Sequence, residues 1–183
     1  TTPRVMAMDF VEGEPLEALA SVSQAKRDAV GTLLERLLFR ELFEFRVMQT
    51  DPNFANYLYQ PDSGRVVLLD FGATMRISAA FVANYVRITR AVIEGDRDAV
   101  AQEAIRIGYA GADDSAERLE AVTDIVFLVC EPLRHRGRYD FPGSDLPARV
   151  RDLGYDLAFK QGLVRAPPPE TIFLHRKLVG NFL

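Results

Sequence analysis

The 183-residue sequence contains one cysteine, two histidines and no tryptophan. A single cysteine excludes an internal disulfide framework, and Cys130 lies in an apolar run that we expect to be part of the core. The two histidines, His135 and His175, cannot form a zinc-finger type of site with one thiol. The sequence also has no run of about 20 apolar residues, so no segment of it is expected to span a membrane.

The charge and composition favour a folded domain that does not bind nucleic acid. The formal net charge is −4, which argues against a general affinity for DNA or RNA. Hydrophobic residues make up 48% of the chain, too many for intrinsic disorder. The chain begins at Thr1 without a methionine and enters a strand-like run almost at once. We therefore expect it to be a piece of a longer protein.

The first 45 residues predict a strand followed by a long helix. Residues 5–11 are apolar and bounded by proline and glycine, which indicates a strand. Residues 12–15 have the composition of a turn or hinge. Apolar side chains at helical spacing then predict a helix from about 24 to 45, with Ser23 as its N-cap.

A small β-hairpin is predicted within an otherwise mostly α-helical body. A polar loop at residues 47–56 precedes two strand-like runs, 57–59 and 65–70, and the residues between these runs have strong turn chemistry. Beyond Gly72 the pattern is helical to the end of the chain. The helices predicted there cover residues 81–94, 96–107, 115–133, 146–159 and 171–182.

Three polar side chains flank the predicted hairpin. Asp51 and Asn56 lie on the loop before it, and Asp70 follows it at the start of an Asp-Phe-Gly turn. Because a hairpin brings its two ends together, we expect these side chains to converge. Carboxylate and amide oxygens suit Mg²⁺, which also binds phosphate oxygens. Such a set predicts phosphoryl transfer, with Asn56 and Asp70 holding metal. Asp51 would orient or deprotonate the attacking group, and Gly72 would permit the sharp turn.

Several of these features also have a purely structural explanation. The Asp-Pro-Asn run at 51–53 fits a simple turn. The aromatic side chains of the hairpin region are expected to pack in the core rather than stack on bases. The basic residues 175–177 fit a charged helix face, or alternatively a contact with anionic lipid or phosphate.

The polar loop and the Asp-Phe-Gly turn carry a family resemblance. The spacing of Asp51 and Asn56, followed by Leu-Leu-Asp-Phe-Gly at 68–72, resembles the catalytic and metal-binding loops of protein kinases. Kinases usually have His-Arg before the first aspartate, whereas this chain has Gln-Thr. The runs Gln-Thr-Asp-Pro-Asn-Phe-Ala-Asn-Tyr and Leu-Leu-Asp-Phe-Gly-Ala-Thr resemble the UbiB family of atypical kinases, the aarF-domain-containing or coenzyme Q8-like proteins. Leu-His-Arg-Lys-Leu-Val-Gly at 174–180 is similar to the C-terminal region of that family.

This resemblance implies a protein-kinase-like fold, present here mainly as its C-terminal, large lobe. Residues 1–14 would be the end of the small lobe and the hinge, and residues 15–183 the large lobe. By position in the motif, Asp51 would be the catalytic-loop aspartate. Asn56 and Asp70 would be the metal ligands.

The resemblance also implies ATP and Mg²⁺ as ligands and a weak or unorthodox kinase or ATPase activity. Asp9, Phe10 and Val11 would lie at the hinge, where the backbone meets adenine. The family supports ubiquinone or other isoprenoid-lipid biosynthesis, which implies lipid or quinone intermediates and membrane-associated protein partners. We therefore expect a cytoplasmic protein at the periphery of a membrane.

Most of the small lobe of that family has no counterpart in this sequence. The chain has no Gly- or Ala-rich phosphate loop, no strand lysine that would reach the phosphates, and no KxGQ segment. We therefore expect a catalytically incomplete fragment.

Two other functions remain open. One uses the same catalytic residues, and the other accounts for the missing small lobe. A small-molecule phosphotransferase of the aminoglycoside-kinase type has the same catalytic logic, but its loop usually reads His-Gly-Asp. A non-catalytic, pseudokinase-like module that binds lipid or a partner protein would account for the missing lobe. Such a module would have no need of Asp51, Asn56 and Asp70.

Overall fold

The computed structural model describes residue 2, residues 4–157 and residues 167–182. The chain divides into two compact units, one of residues 1–77 with 173–183 and the other of residues 78–172. The predicted composition, mostly helical with a small hairpin, is confirmed. No helix in the described ranges combines the length and the hydropathy needed to cross a membrane.

One long helix organises the first unit. Helix α1, Gln24–Arg40, continues directly into a π-helical turn, Glu41–Phe45, which confirms the helix predicted from 24 to 45. Ser23 takes the N-cap position, although its side chain makes no capping hydrogen bond. The π turn ends at Arg46, whose φ of 52° lies in the left-handed region and turns the chain into the next strand.

Two small antiparallel sheets complete this unit. Strand β3, Tyr57–Gln60, pairs with β4, Arg65–Leu68, and forms the predicted hairpin. Strand β1, Glu14–Pro15, pairs with the other edge of β3. A second ladder joins β2, Val47–Gln49, to β5, Thr74–Arg76. The loop predicted at β2 and the helical pattern predicted at β5 are wrong. A strand of three residues is too short to show the alternation of apolar and polar side chains that indicates a strand.

The strand predicted at residues 5–11 is wrong. Residue 5 makes only an isolated bridge with Thr2, and residues 6–13 have no regular secondary structure. Apolar side chains of this segment are exposed, and Phe10 is 90% accessible. A strand needs a neighbouring strand for its backbone N–H and C=O groups, and among the described residues none of the strands β1 to β5 pairs with this segment. The turn predicted at 12–15 is also partly wrong, because its last two residues form β1.

The core of the first unit lies between α1, the hairpin and a 3₁₀-helix, Leu16–Ser21. Both hairpin tyrosines, Tyr57 and Tyr59, are buried there, which confirms that they pack in the core. A second 3₁₀-helix, Phe54–Asn56, precedes β3 and packs its phenylalanine against the same cluster.

The second unit consists of helices that begin and end close to the predicted residues. Helix α2, Ala79–Glu94, follows an N-cap at Ser78, and α3, Arg97–Ile107, follows an N-cap at Asp96. Each of these caps accepts a backbone N–H from the first turn, as helix-start signals require. A buried cluster of α2 and α3 residues forms the core: Ile88, Ala91, Val92, Val100, Ala104 and Ile107.

The single helix predicted at 115–133 is two helices. Helix α4, Ala116–Val129, ends at Cys130, and a short helix α5, Glu131–Arg134, begins directly after it. Pro132 has no N–H to donate to the preceding turn, which explains the break. Cys130 packs against the core cluster as predicted, and its burial raises the thiol pKa to about 11.

Two further helices follow. Helix α6, Leu146–Tyr155, confirms most of the helix predicted from 146, whose last residues, 158 and 159, lie outside the described ranges. Helix α7, Pro169–Phe182, begins two residues before the predicted start, and the boundary between the two units falls within it.

Candidate active site

Two backbone hydrogen bonds hold the polar loop and the Asp-Phe-Gly turn side by side. At one end Thr50 N–H donates to the Ala73 carbonyl at 2.7 Å, and at the other Leu69 N–H donates to the Asn56 carbonyl at 2.9 Å. The Thr50 hydroxyl adds a second bond to the same Ala73 oxygen at 2.9 Å. The loop at 51–55 and the turn that contains Asp70 are therefore neighbours, as hairpin closure predicted, and the β2–β5 ladder extends their pairing.

Asp51 and Asn56 meet directly. The Asn56 side-chain N–H donates to Asp51 Oδ2 at 3.0 Å. Local capping by Asn53 organises the loop between them, because its side chain accepts the Ala55 N–H at 3.0 Å and its carbonyl accepts the Asn56 N–H at 3.0 Å. The amide nitrogen of Asn56 faces the carboxylate, so its amide oxygen takes no part in this hydrogen bond.

Asp70 belongs to the neighbouring turn and is exposed. Its Oδ1 accepts the backbone N–H of Gly72 at 2.7 Å. A Cβ at Gly72 would lie 3.1 Å from that oxygen, so the close turn favours glycine at this position. No hydrogen bond of the described residues joins the Asp70 side chain to Asp51 or Asn56, so the predicted convergence is one of loops rather than of direct contacts.

The predicted hinge residues lie on an irregular, exposed segment. Asp9, Phe10 and Val11 precede β1 and take part in no strand. The chain reaches the hairpin just after them, where Gln60 Nε2 donates to the Glu12 carbonyl at 2.9 Å. A nucleotide contact at Asp9 to Val11 stays a prediction.

A buried ion pair that the sequence did not predict lies beside the polar loop. Lys177 is 1% accessible and its ammonium group donates to Glu41 Oε2. The backbone N–H of Gln49, two residues before Asp51, lies close enough to the Glu41 carboxylate to lower its pKa. The charged helix face predicted for 175–177 is therefore wrong at Lys177. A detectable signal existed, since Glu41 follows Leu38 at i+3 and Lys177 follows Leu174 at i+3, each on an apolar stripe.

Arg176, the neighbour of Lys177, reaches the polar loop itself. Its Nη2 lies 3.4 Å from Asp51 Oδ1. The two oxygens of Asp51 therefore have different donors, with Arg176 on one and Asn56 on the other. The arginine side chain is 57% accessible, so this pair is open to solvent.

Burial dominates the electrostatics next to the site. Desolvation raises the pKa of Glu41, and the hydrogen bond and charge of Lys177 oppose that shift. Burial, followed by the negative charges of Glu41 and Asp51, raises the pKa of Tyr57 to about 12. The Tyr57 phenol is therefore neutral near pH 7, and its O–H donates to Gln49 Oε1 over a long 3.4 Å.

The donor set at this place suits a hard divalent cation with phosphate. The described residues include no cluster of three or more His, Cys, Asp and Glu side chains. The two adjacent loops instead carry one amide group, from Asn56, and two carboxylates, from Asp51 and Asp70. Mg²⁺ commonly binds through one or two carboxylates together with waters and substrate phosphates. The oxygen donors of these two loops therefore fit Mg²⁺–nucleotide.

These features define a kinase-like class: a hairpin between a D-x4-N loop and an Asp-Phe-Gly turn in a mostly helical domain. Comparison with known families gives the same class, because the profile of the ABC1 atypical kinase-like domain matches residues 1–104. The chain belongs to the ABC1 family of atypical kinase-like domains. The resemblance to the UbiB family is thus confirmed.

Curated relatives extend over the whole chain. Atypical kinase COQ8B, mitochondrial, from Rattus norvegicus is 38% identical over 182 residues, covering 100% of this chain and 34% of the relative. Atypical kinase COQ8, mitochondrial, from Schizosaccharomyces pombe is 33% identical over 186 residues, covering 99% and 30%. The Saccharomyces cerevisiae protein of the same name is 31% identical over 185 residues, covering 100% and 36%. The chain spans about one third of the length of these relatives.

Proposed function

We propose that this chain is the large-lobe part of an ATP- and Mg²⁺-dependent atypical kinase or ATPase of the UbiB type. The observation that carries the proposal is the hydrogen bond between Asn56 and Asp51, on a loop fixed beside the Asp-Phe-Gly turn at both ends. In this assignment residues 1–14 are the end of the small lobe and the hinge, and residues 15–183 form the large lobe.

Each side chain of the site has a separate role in this proposal. Asn56 and Asp70 would hold Mg²⁺, which supplies charge neutralisation for the phosphates of bound ATP. Asp51 orients the attacking group or accepts its proton. Gly72 allows the turn that presents the Asp70 carboxylate. At the hinge, the backbone of residues 9–11 meets the adenine.

The names of the relatives guide the biological assignment. Because these relatives are COQ8 proteins, we propose a supporting role in ubiquinone or isoprenoid-lipid biosynthesis, with lipid or quinone intermediates and membrane-associated proteins as partners. Their names also state mitochondria, which favours that location over the cytoplasm expected from the sequence. The ABC1 match disfavours a phosphotransferase of the aminoglycoside-kinase type.

The proposal is tested by ATP turnover in the intact protein. Phosphate release with Mg²⁺ should be slow in the wild type and fall by about 10²–10⁴-fold in Asp51→Asn, because the group that handles the proton is lost. ATP binding should persist in that variant. The matched control is Asp62→Asn, an exposed aspartate in the hairpin turn, which should leave turnover unchanged. Absence of Mg²⁺-dependent ATP binding in the wild type would contradict the proposal and favour a non-catalytic, pseudokinase-like module.

A further inference from the structure

Two consecutive basic residues of α7 have contacts that the proposed chemistry does not yet use. Lys177 is buried and pairs with the Glu41 carboxylate on the π turn after α1. Arg176 is exposed and contacts the Asp51 carboxylate. Successive helical residues point about 100° apart, so one helix can place one cation in the core and the next at the site.

The buried cation acts on the chain just before the site. A carboxylate with 7% side-chain exposure is costly unless it is paired, so Lys177 fixes where the Glu41 carboxylate lies. The backbone N–H of Gln49, the last residue of β2, lies close enough to that carboxylate to favour its charged form. Gln49 is followed by Thr50, which is bonded to Ala73 at 2.7 Å. The ion pair therefore reaches the strand end from which the polar loop starts.

The exposed cation acts on the carboxylate itself. Arg176 Nη2 faces Asp51 Oδ1 at 3.4 Å, while Asn56 Nδ2 holds Oδ2 at 3.0 Å. An ion pair at this exposure contributes little to folding stability. The pair instead orients the Asp51 carboxylate, because donors on both of its oxygens restrict rotation of the group.

We infer that α7 positions Asp51 through two separate contacts, with Lys177 fixing the backbone before the loop and Arg176 orienting the carboxylate. Both are positioning residues, since they act through Asp51 and Glu41. This inference rests on the proposed function insofar as Asp51 handles the proton of the attacking group. The contacts themselves exist without that chemistry, so part of the test does not need activity.

The first test replaces Arg176 in the intact protein. Arg176→Gln should lower kcat for Mg–ATP turnover about tenfold and leave KM within about twofold, because a misoriented group affects the transition state rather than binding. Arg176→Lys should restore part of kcat by keeping the charge. The matched control is Arg40→Gln, which removes an arginine of similar exposure, 56%, that pairs with Glu44. This control should leave kcat and KM unchanged.

The kinetic pattern separates positioning from substrate binding. A raised KM with unchanged kcat in Arg176→Gln would overturn the inference and show that the arginine binds the phosphates instead. Unchanged kcat and KM would also overturn it. If the wild type shows no turnover, the proposed function fails, and the positioning is then decided by the exchange measurement on Lys177.

The second test measures amide hydrogen exchange at residues 47–50 and needs no turnover. Lys177→Met should speed exchange there at least fivefold, because the Glu41 carboxylate beside the Gln49 N–H is no longer held in place. The double variant Glu41→Gln with Lys177→Met keeps an uncharged acceptor and should recover most of the protection and of kcat. Equal exchange in wild type and Lys177→Met would overturn the anchor role. Exchange in the double variant that is as fast as in Lys177→Met would also overturn the anchor role. If Lys177→Met fails to fold, exchange in the double variant compared with the wild type decides whether Lys177 anchors this segment.

Discussion

Replacing Lys177 with methionine removes the cation from a fully buried ion pair and keeps most of the side-chain volume. The lysine and Glu41 side chains are 2% and 7% exposed, so water cannot replace the lost partner. Removing one member of such a pair typically costs about 3–5 kcal/mol, because the remaining charge is left uncompensated. We therefore expect Lys177→Met to lower the free energy of unfolding of the full chain by about that amount at pH 7.

The pH dependence of that loss follows from the pKa of Glu41. Burial raises this pKa, and removal of Lys177 takes away the hydrogen bond and charge that oppose the rise. A carboxyl group with a raised folded-state pKa binds more protons when folded, so it stabilises the fold increasingly as pH falls towards its ordinary pKa of 4.5. The destabilisation should therefore be largest near neutral pH and shrink on acidification. Tyr57, the nearby phenol, has a pKa of about 12 and does not titrate in this range.

Urea unfolding followed by circular dichroism at several pH values measures this loss. The double variant Glu41→Gln with Lys177→Met should recover most of the stability, since a neutral buried pair carries no unpaired charge. Arg151→Met is the control, because its pair with Asp152 is exposed at 73% and 69% and should contribute at most about 1 kcal/mol. A Lys177→Met loss below about 1 kcal/mol at pH 7, or one that grows on acidification, would refute the reasoning about desolvation.

Two further predictions concern the helices. Gly31→Ala should stabilise the chain by about 0.5–1 kcal/mol, because the residue is inside α1 and an added Cβ meets nothing within 4 Å. Gly95→Ala should destabilise it by about 1–2 kcal/mol, because its φ of 77° is left-handed; urea unfolding that ranks the two the other way would contradict both. Cys130 should react with a disulfide reagent at pH 8 about a hundredfold more slowly than a free thiol, because burial raises its pKa to about 11. A rate equal to that of a small thiol would contradict the packing of the partly buried Cys130 against the core.

Local patterns were enough for the helices and the hairpin. Helices α2 and α3 and the turn between β3 and β4 depend on residues only a few positions apart, so apolar spacing and turn chemistry predict them. The prediction of a strand at residues 5–11 was wrong for the opposite reason. The apolar composition of this segment is local, but a strand depends on a neighbour that composition does not specify.

The sequence predicts the polar loop but not the strand pairing and the ion pair that hold it in place. Asp51 and Asn56 are five residues apart, and the hairpin implies that their loop meets the Asp-Phe-Gly turn. The pairing of β2 with β5 joins residues such as Val47 and Arg76, which are distant in sequence and show no alternation. The pair of Glu41 with Lys177 spans 136 positions, so it follows only from the packed structure.

The central claim is that the Asp-Phe-Gly carboxylate helps to hold Mg²⁺ with a nucleotide. Calorimetry of Mg–ATP binding to the intact protein tests it directly by comparing the wild type with Asp70→Asn, and with Asp62→Asn as an exposed control from the same hairpin. We predict that Asp70→Asn weakens Mg²⁺-dependent ATP affinity by more than about a hundredfold, because a metal ligand is lost. The control should bind as the wild type does. Equal affinity in the wild type and Asp70→Asn would contradict the account.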